Sequence, residues 1–267
     1  MTDFSQPTAY FNLPPEGPLA APLAEVQAVW EILDRLAGWI NDLIRPNVAP
    51  LRKTGGLVDK MFALHLGEVL VAERYNLKGE NGLLEVFVGG QKLPGAALIM
   101  PGAYIADERV EIGPDVMVES GAYLKGPTIL GPGTEVRQGA YVRGEVFSLA
   151  KAVIGHATEV KNTLLLTGAK AGHFAYLGDS VLGQEVNLGA GTKLANLNMG
   201  DKPITVKGPF GPITLSRRKL GAIIGDYTET GCNSVTAPGT LLGPHSRLWP
   251  NKTTKASYYP PNSVIKD

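Results

Sequence analysis

Apolar residues return at every sixth position through the middle of the chain, as Ile112, Val118, Leu124, Leu130, Val136 and Val142, and again as Ile154 and Val160. A second register carries Leu182, Leu188 and Leu194, and a third carries Ile224, Leu242 and Leu248 with Thr230 and Thr236 between them. Glycine often follows the aliphatic residue (Gly113, Gly131, Gly155, Gly189, Gly225, Gly243), and a small or β-branched residue often stands four positions after it (Ala122, Thr134, Ala140, Thr158, Thr192). A period of six fits neither the helical repeat of about 3.6 nor simple strand alternation. It is the repeat of an all-β parallel β-helix, in which each hexapeptide supplies a short strand and a corner and three of them close one coil. Residues about eighteen apart then stack on one face of successive coils.

The beat divides the chain. Residues 1–97 lie before it, 98–250 carry it, and 251–267 form a Pro-rich stretch expected to be an extended tail. Residues 1 to about 20 lack a period and read as an arm. Between Pro22 and Arg45, Leu23, Val26, Trp30, Leu33, Leu36, Ile40 and Ile44 follow helical spacing, with proline in the first turn and Pro46 after the end. The expectation is one amphipathic helix that caps the open end of the β-helix, where strand backbone would otherwise be exposed. Residues 56–75 suggest a short helix, and 83–100 a β-rich run in which the first coil begins. Two places break the beat: the register slips between Val160 and Leu182, and residues 197–222, polar, basic and glycine-rich, are too long for a corner and read as an inserted loop or hairpin. Local rule-breaking in a strict repeat marks the expected place of a site.

Composition narrows the function classes. The chain has 25 basic and 25 acidic residues and no net charge, so no electrostatic footprint for nucleic acid appears. No apolar run approaches a membrane span. The single Cys232 permits no internal disulfide and fits a reducing compartment. The first residues lack a basic flank followed by an apolar core. A soluble cytoplasmic protein is expected.

The segment AGHFAYLGDSVLGQEVNLGAGTKLAN, residues 171–196, with EVKN twelve residues upstream of it, resembles the acetyltransferase half of the bifunctional N-acetylglucosamine-1-phosphate uridyltransferase family over about residues 139–202. The resemblance implies a left-handed β-helix, a homotrimer with active sites in the grooves between subunits, and acetyl transfer from acetyl-CoA to the amine of a glucosamine-1-phosphate-like sugar phosphate. Motif by motif, it places the catalytic base at His173, whose imidazole is poised for proton transfer near neutral pH, with Glu159 as the carboxylate that would orient the ring. It assigns substrate contacts to Arg143, Lys161, Tyr176, Asn187, Asn196 and Lys202, and cofactor contacts to Ala190 and Cys232. Arg143 and Lys161 stand eighteen apart, the spacing that stacks two cations into a phosphate or carboxylate cradle. Leu197 stands where the family has a substrate-facing tyrosine, Cys232 where it has a serine, and Pro250 where it has another small residue. The first hundred residues carry no glycine-rich nucleotide loop, so the resemblance is to the acetyltransferase half alone.

Three readings compete. A CoA-dependent N-acyltransferase acting on an amino sugar or sugar phosphate leads. The alternative is a non-catalytic sugar-phosphate or nucleotide-sugar binding or regulatory subunit that has lost CoA, motivated by Cys232 and Pro250. A zinc hydratase on the same scaffold needs three convergent histidines, and His65, His156, His173 and His245 lack the close pair such sites use; no structural metal is expected.

Overall fold

The computed structural model describes residues 3–53, 55–78 and 83–266. Residues 1–2 of the expected arm, 54 and 79–82 of the region before the repeat, and 267 of the expected tail lie outside the described residues. The six-residue beat forms a parallel β-helix. Nine strands stack on its first face, from Ala97–Ile99 to Val264–Ile265. The second face runs from Tyr104–Ile105 to Val235–Thr236, and the third from Val110–Ile112 to Tyr258–Tyr259. The aliphatic of each hexapeptide points into one continuous core containing Ile99, Val118, Val136 and Ile154 from the first face, Ile105, Leu124, Val142 and Val160 from the second, and Ile112, Leu130, Leu165 and Leu182 from the third. Ser148, fully buried, fills the position the beat seemed to skip, and its hydroxyl is satisfied by Thr134 Oγ1 at 3.0 Å.

The irregularities fall at one corner, between the second and third faces. Val142 pairs with Val160 eighteen positions on, but Val160 pairs with Leu177 only seventeen on. The missing residue shortens that corner in two successive coils, and the second- and third-face strands merge into Glu159–Leu165 and Tyr176–Leu182. In the next coil the same corner expands instead: Leu182 pairs with Ile224, and the residues between carry an antiparallel hairpin of Thr205–Gly208 with Gly211–Thr214. The inserted loop is thus a hairpin leaving the corner that was shortened twice below it.

The N-terminal segment takes a different place from the one its pattern suggested. Helix α1 (Ala20–Ala24) and helix α2 (Glu31–Leu43) are separated by a break, where Glu31 Oε2 accepts the backbone N–H groups of Gln27 at 3.3 Å and Ala28 at 3.4 Å and so restarts the helix. α2 lies along the third face and packs on the strands that carry Phe147, Leu164 and Val181, in a buried apolar cluster that also takes in the outward side chains Ile129, Ile223 and Leu241. Those strands are apolar on both sides (Thr128–Leu130, Val146–Ser148, Ala222–Ile224 and Thr240–Leu242 are buried throughout), whereas second-face strands such as Tyr123–Leu124 alternate exposed and buried. A sheet with both faces apolar must be covered on both, and the flank therefore outcompetes the coil end for the helix. Ile32, Leu36 and Ile40 are fully buried there, each contributing about 1.5–3 kcal/mol of transfer free energy. The arm is likewise docked: Phe4, Tyr10 and Phe11 are buried, and Tyr10 donates its hydroxyl to the Phe4 carbonyl at 2.7 Å.

The coil end is closed by residues that read as a helix in sequence. Strands β1 (Phe62–His65) and β2 (Glu68–Val71) form a hairpin, and β1 pairs antiparallel with Ala97–Ile99, ending the parallel stack. The two loop residues Leu66 and Gly67 both have positive φ, the geometry of the tight turns that suit hairpin twist. Val48, Leu51, Val58 and Leu64 complete the plug. At the other end, the expected tail closes the ninth coil: Tyr258–Tyr259 pairs with Thr240–Leu242, and Val264–Ile265 with Arg247–Leu248. Among the described residues no helix is long and apolar enough to cross a membrane.

Candidate functional site

The twice-shortened corner gathers a polar network from three coils. Arg143 and Lys161 sit one coil apart, as the pairing of Val142 with Val160 requires. Each is engaged by its own acid rather than joined in an open cradle. Arg143 NH1 meets Glu159 Oε1 at 2.7 Å, which raises the guanidinium pKa further, and its plane lies 5.9 Å from the Tyr141 ring. Lys161 Nζ lies 3.2 Å from Asp179 Oδ2. Asp179 is buried and hydrogen-bonded at both oxygens: Asn162 Nδ2 donates to its Oδ1 at 2.9 Å and Asn196 Nδ2 to its Oδ2. Tyr176 donates its hydroxyl to Asn196 Oδ1 at 3.4 Å.

Backbone geometry makes this arrangement possible. Asn162 and Asp179 both have positive φ, a conformation that short polar side chains tolerate. A Cβ on Gly178 would lie 2.6 Å from both Asn196 Nδ2 and the Tyr176 hydroxyl, so glycine is required for the two to meet. Asn162 escaped sequence reasoning. The available signal was an asparagine and an aspartate seventeen apart, the contracted coil spacing, in EVKN and YLGD.

A second group lies at the opposite end of the same face. His173 pairs with His156 of the coil before it. The next coils place Ala190 and then Cys232 in the same column, linked by Gly191 N donating to His173 O at 2.9 Å and Asn233 N donating to Ala190 O at 2.7 Å. The sequence-assigned base and both cofactor residues therefore form one ladder between the first and second faces. His173 and Cys232 are exposed and Ala190 is half-buried. His156 Nδ1 is 2.8 Å from the Gln138 carbonyl and its ring lies edge-on to Phe174, 5.2 Å away. Phe174, with positive φ and 56% exposed, is a strained and uncovered neighbour of His173.

His173 and Tyr176 are three residues apart, on either side of the corner at which Phe174 bends the chain. Glu159, assigned to orient His173, is bonded to Arg143 instead. Asn187 is exposed on the first face between Lys170 and Glu229, away from both groups. Lys202 is exposed beyond the short turn Met199–Asp201, with its carbonyl 3.5 Å from Asn198 Nδ2. One chain thus brings together Arg143, Glu159, Lys161, Tyr176 and Asn196 at one corner, and His173, Ala190 and Cys232 at the other. Among the described residues no group of three His, Cys, Asp or Glu side chains could hold a metal ion.

Against the acid-bearing network lies a cavity of about 510 Å³, lined by Asp179, Leu197, Arg217, Arg218 and Lys219. The last three follow the return strand of the inserted hairpin, and Leu197 bridges to Lys219.

No family model matches the chain. Over 142 residues, 53% of this chain and 35% of the relative, it is 39% identical to the bifunctional sugar-1-phosphate nucleotidylyltransferase/acetyltransferase of Sulfurisphaera tokodaii. It is 40% identical over 97 residues to the bifunctional protein GlmU of Methanococcus maripaludis, covering 36% of this chain and 23% of that protein. It is 36% identical over 141 residues to the putative uncharacterized acetyltransferase YaiX of Escherichia coli, covering 53% of this chain and 61% of that protein. The chain spans about a third or less of the two bifunctional relatives and about three-fifths of the third. It is related to proteins described as acetyltransferases.

Proposed function

We propose that this protein is an acetyl-CoA-dependent N-acyltransferase whose acceptor is an amino sugar or its phosphate. The observation that carries the reading is the column of His173, Ala190 and Cys232 on one edge of the second face, with the polar network of Arg143, Lys161, Tyr176 and Asn196 on the other. Acetyl-CoA, as a substrate, runs along the column. His173 takes the proton from the acceptor amine as its nitrogen attacks the thioester carbonyl; the C–N bond forms, the C–S bond breaks, and the CoA thiol leaves.

A single chain leaves His173 exposed with an unoriented ring, because Glu159 is held by Arg143. A homotrimer supplies the missing wall. The third face is occupied by α1, α2 and the arm, so packing between copies uses the first and second faces, whose shared edge carries His173. The second face supports this with a bare tyrosine ladder, Tyr104 on Tyr123 at 5.2 Å and Tyr123 on Tyr141 at 5.4 Å.

The test is release of CoA thiol from acetyl-CoA across a panel of amino sugars and their phosphates, with Cys232 subtracted as background. Turnover with one acceptor supports the reading. No turnover, together with stabilisation by a sugar phosphate but not by CoA, favours the binding-subunit alternative, which the cysteine at position 232 motivates.

A further inference from the structure

The inserted hairpin brings a charge cluster that the acyltransferase reading does not use. Ser216–Lys219 reads SRRK, and in a regular strand Arg218 would point away from its neighbours. Bends at Ser216 and Arg218 break that alternation, and Arg217, Arg218 and Lys219 all line the cavity beside Asp179 and Leu197.

Two features mark this as more than a solvated basic run. Arg217 is pinned from behind by α2: its NH1 donates to the Trp30 carbonyl at 2.7 Å, its NH2 lies 3.2 Å from Asp34, and its side chain is only 15% exposed. The fold thus holds this guanidinium in place at the wall of the cavity. Beside it, Lys219 has no acidic partner among the described residues. Asp179, which also lines the cavity, is ion-paired with Lys161 and accepts from Asn162 and Asn196. Leu197, 47% exposed, adds one apolar wall, and about 510 Å³ admits a sugar together with its phosphate.

We infer that the base of the inserted hairpin is an anion subsite that binds the phosphate end of the acceptor, through Arg217, Arg218 and Lys219, with the ring against Leu197. Calling the ligand an acceptor rests on the acyltransferase reading; the binding of a phosphate ester does not. Arg143 and Lys161, in the neighbouring network, are left to position the sugar, and the hairpin supplies the anion recognition.

Calorimetric titration of the full chain without acetyl-CoA tests this, using glucosamine 1-phosphate, a nucleoside diphosphate sugar, and unphosphorylated glucosamine. The double variant R218A/K219A alters exposed side chains, and its melting temperature checks the fold. The expected result is a Kd for the phosphorylated ligand raised at least about tenfold, with glucosamine unaffected; which of the two phosphorylated ligands shows the loss identifies the monoester or the diphosphate. Lys219→Ala alone should give a smaller loss and a shallower dependence of Kd on salt. An unchanged Kd, an equal loss for glucosamine, or no binding of either phosphorylated ligand to the wild-type protein would overturn the inference. Absent turnover with this binding pattern intact would remove the acyltransferase reading and leave the subsite; turnover with a phosphate-indifferent KM would do the reverse.

Discussion

At the scale of single residues, two threonines at equivalent core positions should behave oppositely. Thr230 bonds Thr192 Oγ1 at 2.8 Å and accepts the Gly189 N–H at 3.1 Å, whereas Thr236, fully buried, has no partner for its hydroxyl. Thr236→Val should raise stability in urea unfolding by about 1 kcal/mol, and Thr230→Val should lower it by a similar amount, because an unsatisfied buried hydroxyl costs about 1–3 kcal/mol. Equal effects would mean that the two sites do not differ as described. Asp226 is a third informative residue. Its two oxygens accept the backbone N–H groups of Asn12 and Gln184, both at 2.7 Å, so it latches the arm to the β-helix. Burial raises its pKa against the pull of those two bonds. A raised folded-state pKa means that its stabilising contribution is full below the unfolded value and fades as pH rises through the folded one. The melting-temperature advantage of wild type over Asp226→Asn should therefore shrink from acidic to neutral pH; a growing advantage would reverse the sign.

At the scale of elements, α2 joins the third face to the inserted hairpin, since Ile204, Val206 and Leu215 share its apolar cluster. Leu36→Ala removes a fully buried side chain and should cost about 2–5 kcal/mol, with earlier proteolysis at the hairpin than in the coils. Uniform protection of the hairpin in that variant would separate it from the helix. The β-helix itself was legible because a period of six admits few other structures. The inserted hairpin was legible as an interruption. The placement of α2 was not, although the clue lay in third-face triplets such as TIL, AII and TLL, apolar on both sides where a solvent-facing strand alternates. The β1–β2 hairpin was missed because Phe62–Val71 carries apolar residues that satisfy helical and strand spacing alike, and the turn at Leu66 and Gly67 decides between them. The sequence also hid the closing coil, because proline at 260 and 261 suggests an extended tail when in fact it occupies a corner.

At the scale of the whole molecule, the candidate site divides into two groups that the sequence could name but not place. Stacking by eighteens put Arg143 beside Lys161, yet it could not reveal that Glu159 turns to Arg143 and not to the His173 ring. Nor could it reveal that the third face is covered, which under the proposed function leaves the first and second faces for contact between copies. Light scattering should therefore find a trimer at micromolar concentration, and Tyr123→Glu in the exposed ladder should shift it toward monomer; a wild-type monomer would leave His173 without its second wall. The central claim is acyl transfer with His173 as the base, and mass-spectrometric detection of N-acetylated product from wild type and His173→Ala tests it most directly. The account predicts product from wild type and a loss of at least about 100-fold in the variant with its oligomeric state intact. Equal product from both proteins would contradict it.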